Sequence, residues 1–353
     1  MCFYNLSVNI IADTIASVKH RIFWIFWYNC FMKRLKNGTG TEVFDQTGLS
    51  GNDPVILLFY KYTEVIDPVA ETERQRAVLS VLGITGRFII AGEGINGTGE
   101  GTAENVQKYV NWINSQKMYR HIHWKLSAGN GKAFPRLSCK NRKEIVSLHL
   151  ADNDPSRDID PNKLTGIHLK PAELNKWYSE GKDFYIVDMR NDYELKVGKF
   201  EDTIFPGMRN FRDLREKIDE IKDLKDKTVL TVCTGGVRCE KASGFLKKEG
   251  FKDVYQLDGG IVSYMKEFPN QKYQGSLYVF DGRETMNFDG TEHKVVGECD
   301  FCQTKTENYS NCSNKNCNQK MLICVDCVNE GPKFCSNECE TEFANKQNEK
   351  TYA

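Results

Sequence analysis

The stretch that most restricts the fold lies past the middle of the chain. There the β-branched and aliphatic residues 228–232 run into Cys233-Thr234-Gly235-Gly236-Val237-Arg238-Cys239-Glu240-Lys241-Ala242-Ser243, and a helical pattern follows. A strand that turns through two adjacent glycines into a helix is half of a β-α-β crossover, so this part of the chain is expected to build a parallel sheet. The same turn carries chemistry. Loop amides and a helix N-terminus aimed at Cys233, with Arg238 close by, favour thiolate over thiol. Gly235 and Gly236 let the backbone N–H groups cradle an anion. An inert cysteine would explain a strand end, but not the glycine pair and arginine after it.

The surrounding pattern extends that unit over residues 164–268, with a helix over 171–179 and strands at 184–188, 228–232 and 254–257. A helix over 239–249 lies between the last two. Asp188 and Arg190 stand just past a strand end. Either they line the same crevice or they form a local salt bridge that holds the strand exit.

Thirteen cysteines are distributed unevenly, with eight between Cys299 and Cys339, which fits a reducing compartment with one metal module better than a disulfide scaffold. They pair as Cys299 with Cys302, Cys312 with Cys317, Cys324 with Cys327, and Cys335 with Cys339. Eight thiolates supply two tetrahedral zinc sites. Interleaved ligation is favoured, the first and third pairs sharing one ion and the second and fourth the other, with sequential ligation as the alternative. The module, residues 295–342, has few large apolar residues and is expected to need metal to fold.

Residues 54–150 read as β-α-β-β-α-β: strands at 55–60, 86–91 and 121–126, one more after Gly97, and helices at 68–82 and 103–115. That is the order of a ferredoxin-like or acylphosphatase-like α+β sandwich. Gly92, Gly94 and Gly97 match a dinucleotide-binding spacing but lack its βαβ context, so they are expected to form a turn between antiparallel strands. Glu93 and Asn96 on that turn are candidate ligand contacts. Lys132, Arg136, Lys140, Arg142 and Lys143 cluster around Phe134, as a phosphate-contacting edge or a solvated strand face.

Residues 1–53 read as an extension and linker. The apolar run 22–32 is too short to span a bilayer, and Met32 is the favoured initiator, leaving the lead upstream of the true start. No stable membrane association is expected. With zero net charge, any RNA contact must come from local patches.

Asp188-Met189-Arg190-Asn191, Tyr193-Glu194, the Cys233 loop and Gly259-Gly260-Ile261 resemble a rhodanese domain. With Phe59-Tyr60-Lys61-Tyr62, Gly92-Glu93-Gly94-Ile95-Asn96 and the cysteine-rich tail, residues 54 to 340 resemble the bacterial tRNA uridine hydroxylase family. That resemblance implies oxygen-dependent hydroxylation of the wobble uridine to 5-hydroxyuridine in the cytoplasm, with the anticodon region of tRNA as partner and molecular oxygen as co-substrate. Cys233 would be the essential residue, adding to the ring carbon next to the one oxidised. Arg238 would hold a phosphate or oxyanion, and Cys239 would be a second redox thiol or the filler of a small buried slot. Asp188, Arg190, Gly235, Gly236, Lys241, Arg136, Lys140 and Arg142 are the expected substrate contacts. The family has a histidine in the Gly-His-Phe step where this chain has Lys199, so no role is carried over there. No motif names the electron donor. Persulfide sulfurtransfer through Cys233 is the rival reading.

Overall fold

The computed structural model describes residues 48–150, 158–288, 293–317 and 319–351. The apolar run 22–32 and the linker up to residue 47 lie outside them.

The first unit is built from β1 (Pro54–Tyr62), α1 (Pro68–Val81), β2 (Thr85–Ala91), β3 (Gly94–Thr102), α2 (Ala103–Asn114), β4 (Lys125–Ala128) and β5 (Leu137–Asn141). Its sheet runs β4-β1-β3-β2-β5, the expected sandwich with one strand added. Ala91 pairs with Gly94, so the glycine motif is a turn between antiparallel strands. Both helices cover one face. Val55, Leu57 and Phe59 of β1 point into that core, while Leu58 and Tyr60 point out of the opposite face. Gly97 and Gly99 leave room for the ring of Phe88, which would stand 2.6 Å and 2.8 Å from an added Cβ. The fourth strand starts later than the apolar pattern indicates. His121 adopts a positive φ of 63°, so pairing with β1 begins only at Lys125, opposite Leu58. The extra strand β5 pairs in parallel with β2 and carries Lys140, while the other residues of the basic cluster flank it in sequence.

The second unit comprises β6 (Ile167–Leu169), α3 (Pro171–Ser179), β7 (Tyr185–Asp188), α4 (Asp192–Leu195), β8 (Gly198–Phe200), α5 (Leu214–Lys217), β9 (Thr228–Val232), α6 (Val237–Lys248), β10 (Asp253–Leu257) and α7 (Gly260–Glu267). The parallel sheet runs β6-β10-β9-β7 and places the Cys233 loop at the carboxyl end of an inner strand. The helix after the loop begins at Val237, earlier than the pattern marks it. Gly236 takes φ 100°, which no side chain tolerates well, and turns the chain straight into α6. Gly260 packs against the same loop: an added Cβ would lie 2.7 Å from the Cys233 carbonyl oxygen.

The tail adds β11 (Tyr273–Gly275), which pairs with β8, then the hairpin β12 (Leu277–Tyr278) and β13 (Thr285–Met286). A second small hairpin, β14 (Tyr309–Asn311) with β15 (Lys320–Leu322), leads to α8 (Val325–Asn329) and α9 (Asn337–Thr351). Tyr309 and Leu322 bury themselves against Val197 and Tyr278, so two of the tail's few apolar side chains attach it to the central unit. Lys196 pairs with Asp300 at 2.6 Å, and Tyr309 Oη donates to the Tyr193 carbonyl. None of the described helices is long and apolar enough to cross a membrane.

Candidate active site

The open face of the first sheet is laid over the Cys233 loop. Tyr60 Oη donates to Glu240 Oε1 at 3.0 Å, and Tyr62 Oη donates to the Val237 carbonyl at 3.2 Å. Between the two units, and walled on one side by the β12–β13 hairpin, lies a cavity of about 550 Å³. Leu58, Tyr60, Asn96 and Lys125 line it from the first unit. Thr234, Gly235, Val237 and Arg238 line it from the loop, and Phe280 and Arg283 from the hairpin. Arg283 Nη1 donates to Ser127 Oγ and to the Ala128 carbonyl, and Gly282 N donates to the Ala133 carbonyl, which ties the hairpin back to the first unit.

Cys233 immediately precedes the lining residues Thr234 and Gly235 in the loop and is itself fully buried, so it does not line the cavity in this state. The Gly236 N–H donates to its sulfur at 3.2 Å. Burial alone would push the thiol up. The Cys239 thiol as donor, the Arg238 charge and the backbone N–H groups of Cys239 and Arg238 outweigh it, and hold Cys233 down to about 6. Cys239 is pushed up, by its own burial first and then by the neighbouring sulfur. The structure thus brings the two cysteines together as one thiolate and one thiol donor.

Arg238 is held by Glu194 through two bonds of 2.5 Å and 2.8 Å, and Thr234 Oγ1 donates to the same carboxylate. Glu194 is buried, yet the Arg238 charge keeps its carboxyl low. With both terminal nitrogens so engaged, Arg238 serves the loop as a fixed positive charge more than as an open anion fork. Glu194 belongs to the Tyr193-Glu194 motif, but nothing in its sequence position shows that it faces Arg238 across 44 residues.

Three expected substrate contacts are corrected. Asp188 and Arg190 are fully buried and bonded to each other. Arg190 also donates to Tyr273 Oη at 3.0 Å and the Gly198 carbonyl at 2.9 Å, so the pair holds the strand exit. Lys241 is 1 % exposed and clamped at 2.7 Å by both Glu93 and Glu144, joining the two units. Glu93 is therefore a structural partner, while Asn96 does line the cavity. Gly235 and Gly236 stay in the loop wall. Arg136, Lys140 and Arg142 are exposed and lie outside the cavity. By register Lys140 stands beside Ile89, a cavity-lining residue, so Lys140 shares the sheet face that lines the cavity. Lys199 is exposed on β8.

In the tail, the sulfurs of Cys299, Cys302, Cys324 and Cys327 gather in one group, and those of Cys312, Cys317, Cys335 and Cys339 in another. Within each group all lie within 4.8 Å of one another. This is the interleaved arrangement. Cys302 and Cys324 sulfurs are 3.5 Å apart, and Cys317 and Cys335 are 3.4 Å apart. A disulfide needs about 2.05 Å, whereas four sulfurs around zinc at about 2.3 Å stand about 3.8 Å apart. The donor sets fit tetrahedral zinc and do not fit disulfides.

Three family models match the three parts: a UPF0176 acylphosphatase like domain over residues 54–145, a rhodanese-like domain over 170–267 and a rhodanase C-terminal segment over 274–340. Fold and site thus define a rhodanese-type cysteine centre roofed by an acylphosphatase-like domain. Curated relatives resemble nearly the whole of this arrangement. The tRNA uridine(34) hydroxylase of Cytophaga hutchinsonii is 40% identical over 82% of this chain and 90% of its own length. That of Bacillus pumilus is 41% identical over 82% and 89%, and one from Staphylococcus aureus 39% over 82% and 91%. The chain belongs to the tRNA uridine(34) hydroxylase family.

Proposed function

We propose that this protein hydroxylates the wobble uridine of tRNA to 5-hydroxyuridine, with molecular oxygen as the oxygen source and Cys233 as the essential thiolate. The observation that carries the reading is a cavity next to the loop of an activated cysteine, in a chain that matches hydroxylases of that name along most of its length. A single base fits such a cavity once taken out of its stack, and an anticodon-loop base is unpaired and can be splayed out.

Sulfur adding to C6 of uracil makes C5 electron-rich, and C5 is the carbon to be oxidised. Cys239 supports that thiolate by donating to it, and Arg238 balances its charge. Oxygen entering at C5 leaves a second oxygen atom to be reduced to water by an external two-electron donor. Zinc, held by the two four-cysteine groups, would be structural, because four thiolates leave no open coordination position. Lys140, Arg136 and Arg142 are proposed to take tRNA phosphates beyond the cavity mouth, and the cytoplasm is the compartment where that substrate is met.

Nucleoside mass spectrometry of tRNA from cells with and without the gene tests the reading. Loss of 5-hydroxyuridine derivatives is expected, while loss of a thiolated nucleoside would replace hydroxylation with sulfurtransfer.

A further inference from the structure

Four buried cations surround the loop, and three are paired. Arg190 rests on Asp188, Arg238 on Glu194, and Lys241 between Glu93 and Glu144. Lys125, the first residue of β4, is 8 % exposed, and its Nζ has no hydrogen-bond partner among the described residues. The Tyr60 ring lies 5.4 Å away. Negative groups act on the ammonium from three other elements: Cys233 on the loop, Glu240 on α6 and Asp258 after β10. His123 precedes it on its own segment. Burial lowers it to about 8, so it remains charged at neutral pH.

A buried ammonium that has the face of Tyr60 but no hydrogen-bond acceptor destabilises the empty protein, and an occupant that brings an acceptor relieves that. Lys125 lines the cavity, and so does Asn191 of the facing unit, whose side-chain oxygen is likewise buried without a donor. An unused donor and an unused acceptor in one cavity match a heterocycle that carries both a ring carbonyl and an imide N–H, as uracil does.

We propose that Lys125 is a substrate-contacting residue, whose ammonium binds the C4 carbonyl oxygen of the target uracil and holds the negative charge that forms there when Cys233 adds to C6. The proposal rests on the uridine-modifying reading of the site. In this step the S–C6 bond forms, the C5=C6 π bond breaks, and its electron pair moves through C5–C4 onto O4. Lys125 keeps its proton, and no oxidant is consumed. If C5 is protonated by solvent before the sulfur leaves, the C5 hydrogen exchanges.

Anaerobic incubation of the full-length protein with tRNA in D2O reads that step apart from oxygen chemistry. Wild type is expected to exchange the C5 hydrogen of the wobble uridine. Lys125→Met is expected to slow exchange about a hundredfold, the scale of losing one oxyanion donor, and Lys125→Arg to recover part of it. Removing the cation should also move the pH midpoint of Cys233 alkylation upward, while the melting temperature of Lys125→Met stays level or rises. Equal exchange by wild type and Lys125→Met would overturn the assignment and leave Cys233 addition standing. Absence of exchange by wild type would overturn the addition step, and the role of Lys125 with it. A Lys125→Met protein that melts lower and exchanges slowly, with no recovery in Lys125→Arg, would assign Lys125 to packing instead.

Discussion

The protein uses cysteine sulfur in two regions, and the contrast lies in what surrounds it. In the central unit two sulfurs meet inside a core, where one is ionised by a neighbouring thiol, backbone N–H groups and Arg238, and the other stays protonated. In the tail eight sulfurs gather into two four-atom groups with neighbouring sulfurs 3.4–3.7 Å apart, and little apolar packing holds them. A single ionised sulfur near a cavity suits a nucleophile, and four sulfurs around a point suit a metal cage. The geometry decides between reactivity and scaffolding, not the residue type.

Breaking the first region has the largest expected effect. Cys233→Ser should abolish tRNA modification while leaving fold and metal content unchanged, because a hydroxyl is far less acidic than this thiol. Wild-type 5-hydroxyuridine in a strain carrying only Cys233→Ser would falsify the nucleophilic role. In the second region, protein purified without chelator should carry about two zinc ions per chain. Cys324→Ser should reduce that to about one and loosen the tail, as read by metal analysis and limited proteolysis; unchanged metal content would remove Cys324 from the cage.

The two kinds of sulfur should also separate by pH. Cys233 alkylation should rise through a midpoint near 6, well below the ~8.5 of a free cysteine. If modification uses that thiolate and a protonated Lys125, whose proton is lost above about 8, its pH profile should be bell-shaped between these limits. Cys239→Ser should shift the alkylation midpoint upward and lower activity only partly. The smallest effect is expected outside both regions. Neutralising Lys140 and Arg142 should flatten the salt dependence of tRNA binding by about one unit of slope for each charge removed, and an unchanged slope would return them to a solvated edge.

Local features are legible in the sequence: the strand-Gly-Gly-helix turn places Cys233, and close cysteine pairs reveal the metal groups. The antiparallel turn at Gly94 follows from its missing βαβ context. Features that depend on chain segments far apart are not legible. Lys241 looks like an open cation in sequence, but its partners Glu93 and Glu144 arrive through the fold, whereas the Asp188–Arg190 salt bridge is local and one of the two readings the sequence allows. Lys125 is the reverse case. It lies in an ordinary alternating strand pattern, and only the positive φ at His121 and the roof over the loop make it a buried, unpartnered charge. The interleaving of the cysteine groups likewise follows from where β14, β15 and α8 meet, since spacing alone permits sequential ligation as well.

The β12–β13 hairpin that walls the cavity has a consequence for the order of synthesis. A chain emerging from the ribosome presents the Cys233 loop and the first sheet about forty-five residues before Phe280 and Arg283 can complete the wall. The second cysteine group must wait longer still, until Cys339 has appeared. A nascent or truncated chain therefore carries the cysteine loop with one wall of its cavity missing. Recognition of a base by this cavity thus waits for the last quarter of the chain, although the cysteine loop precedes it.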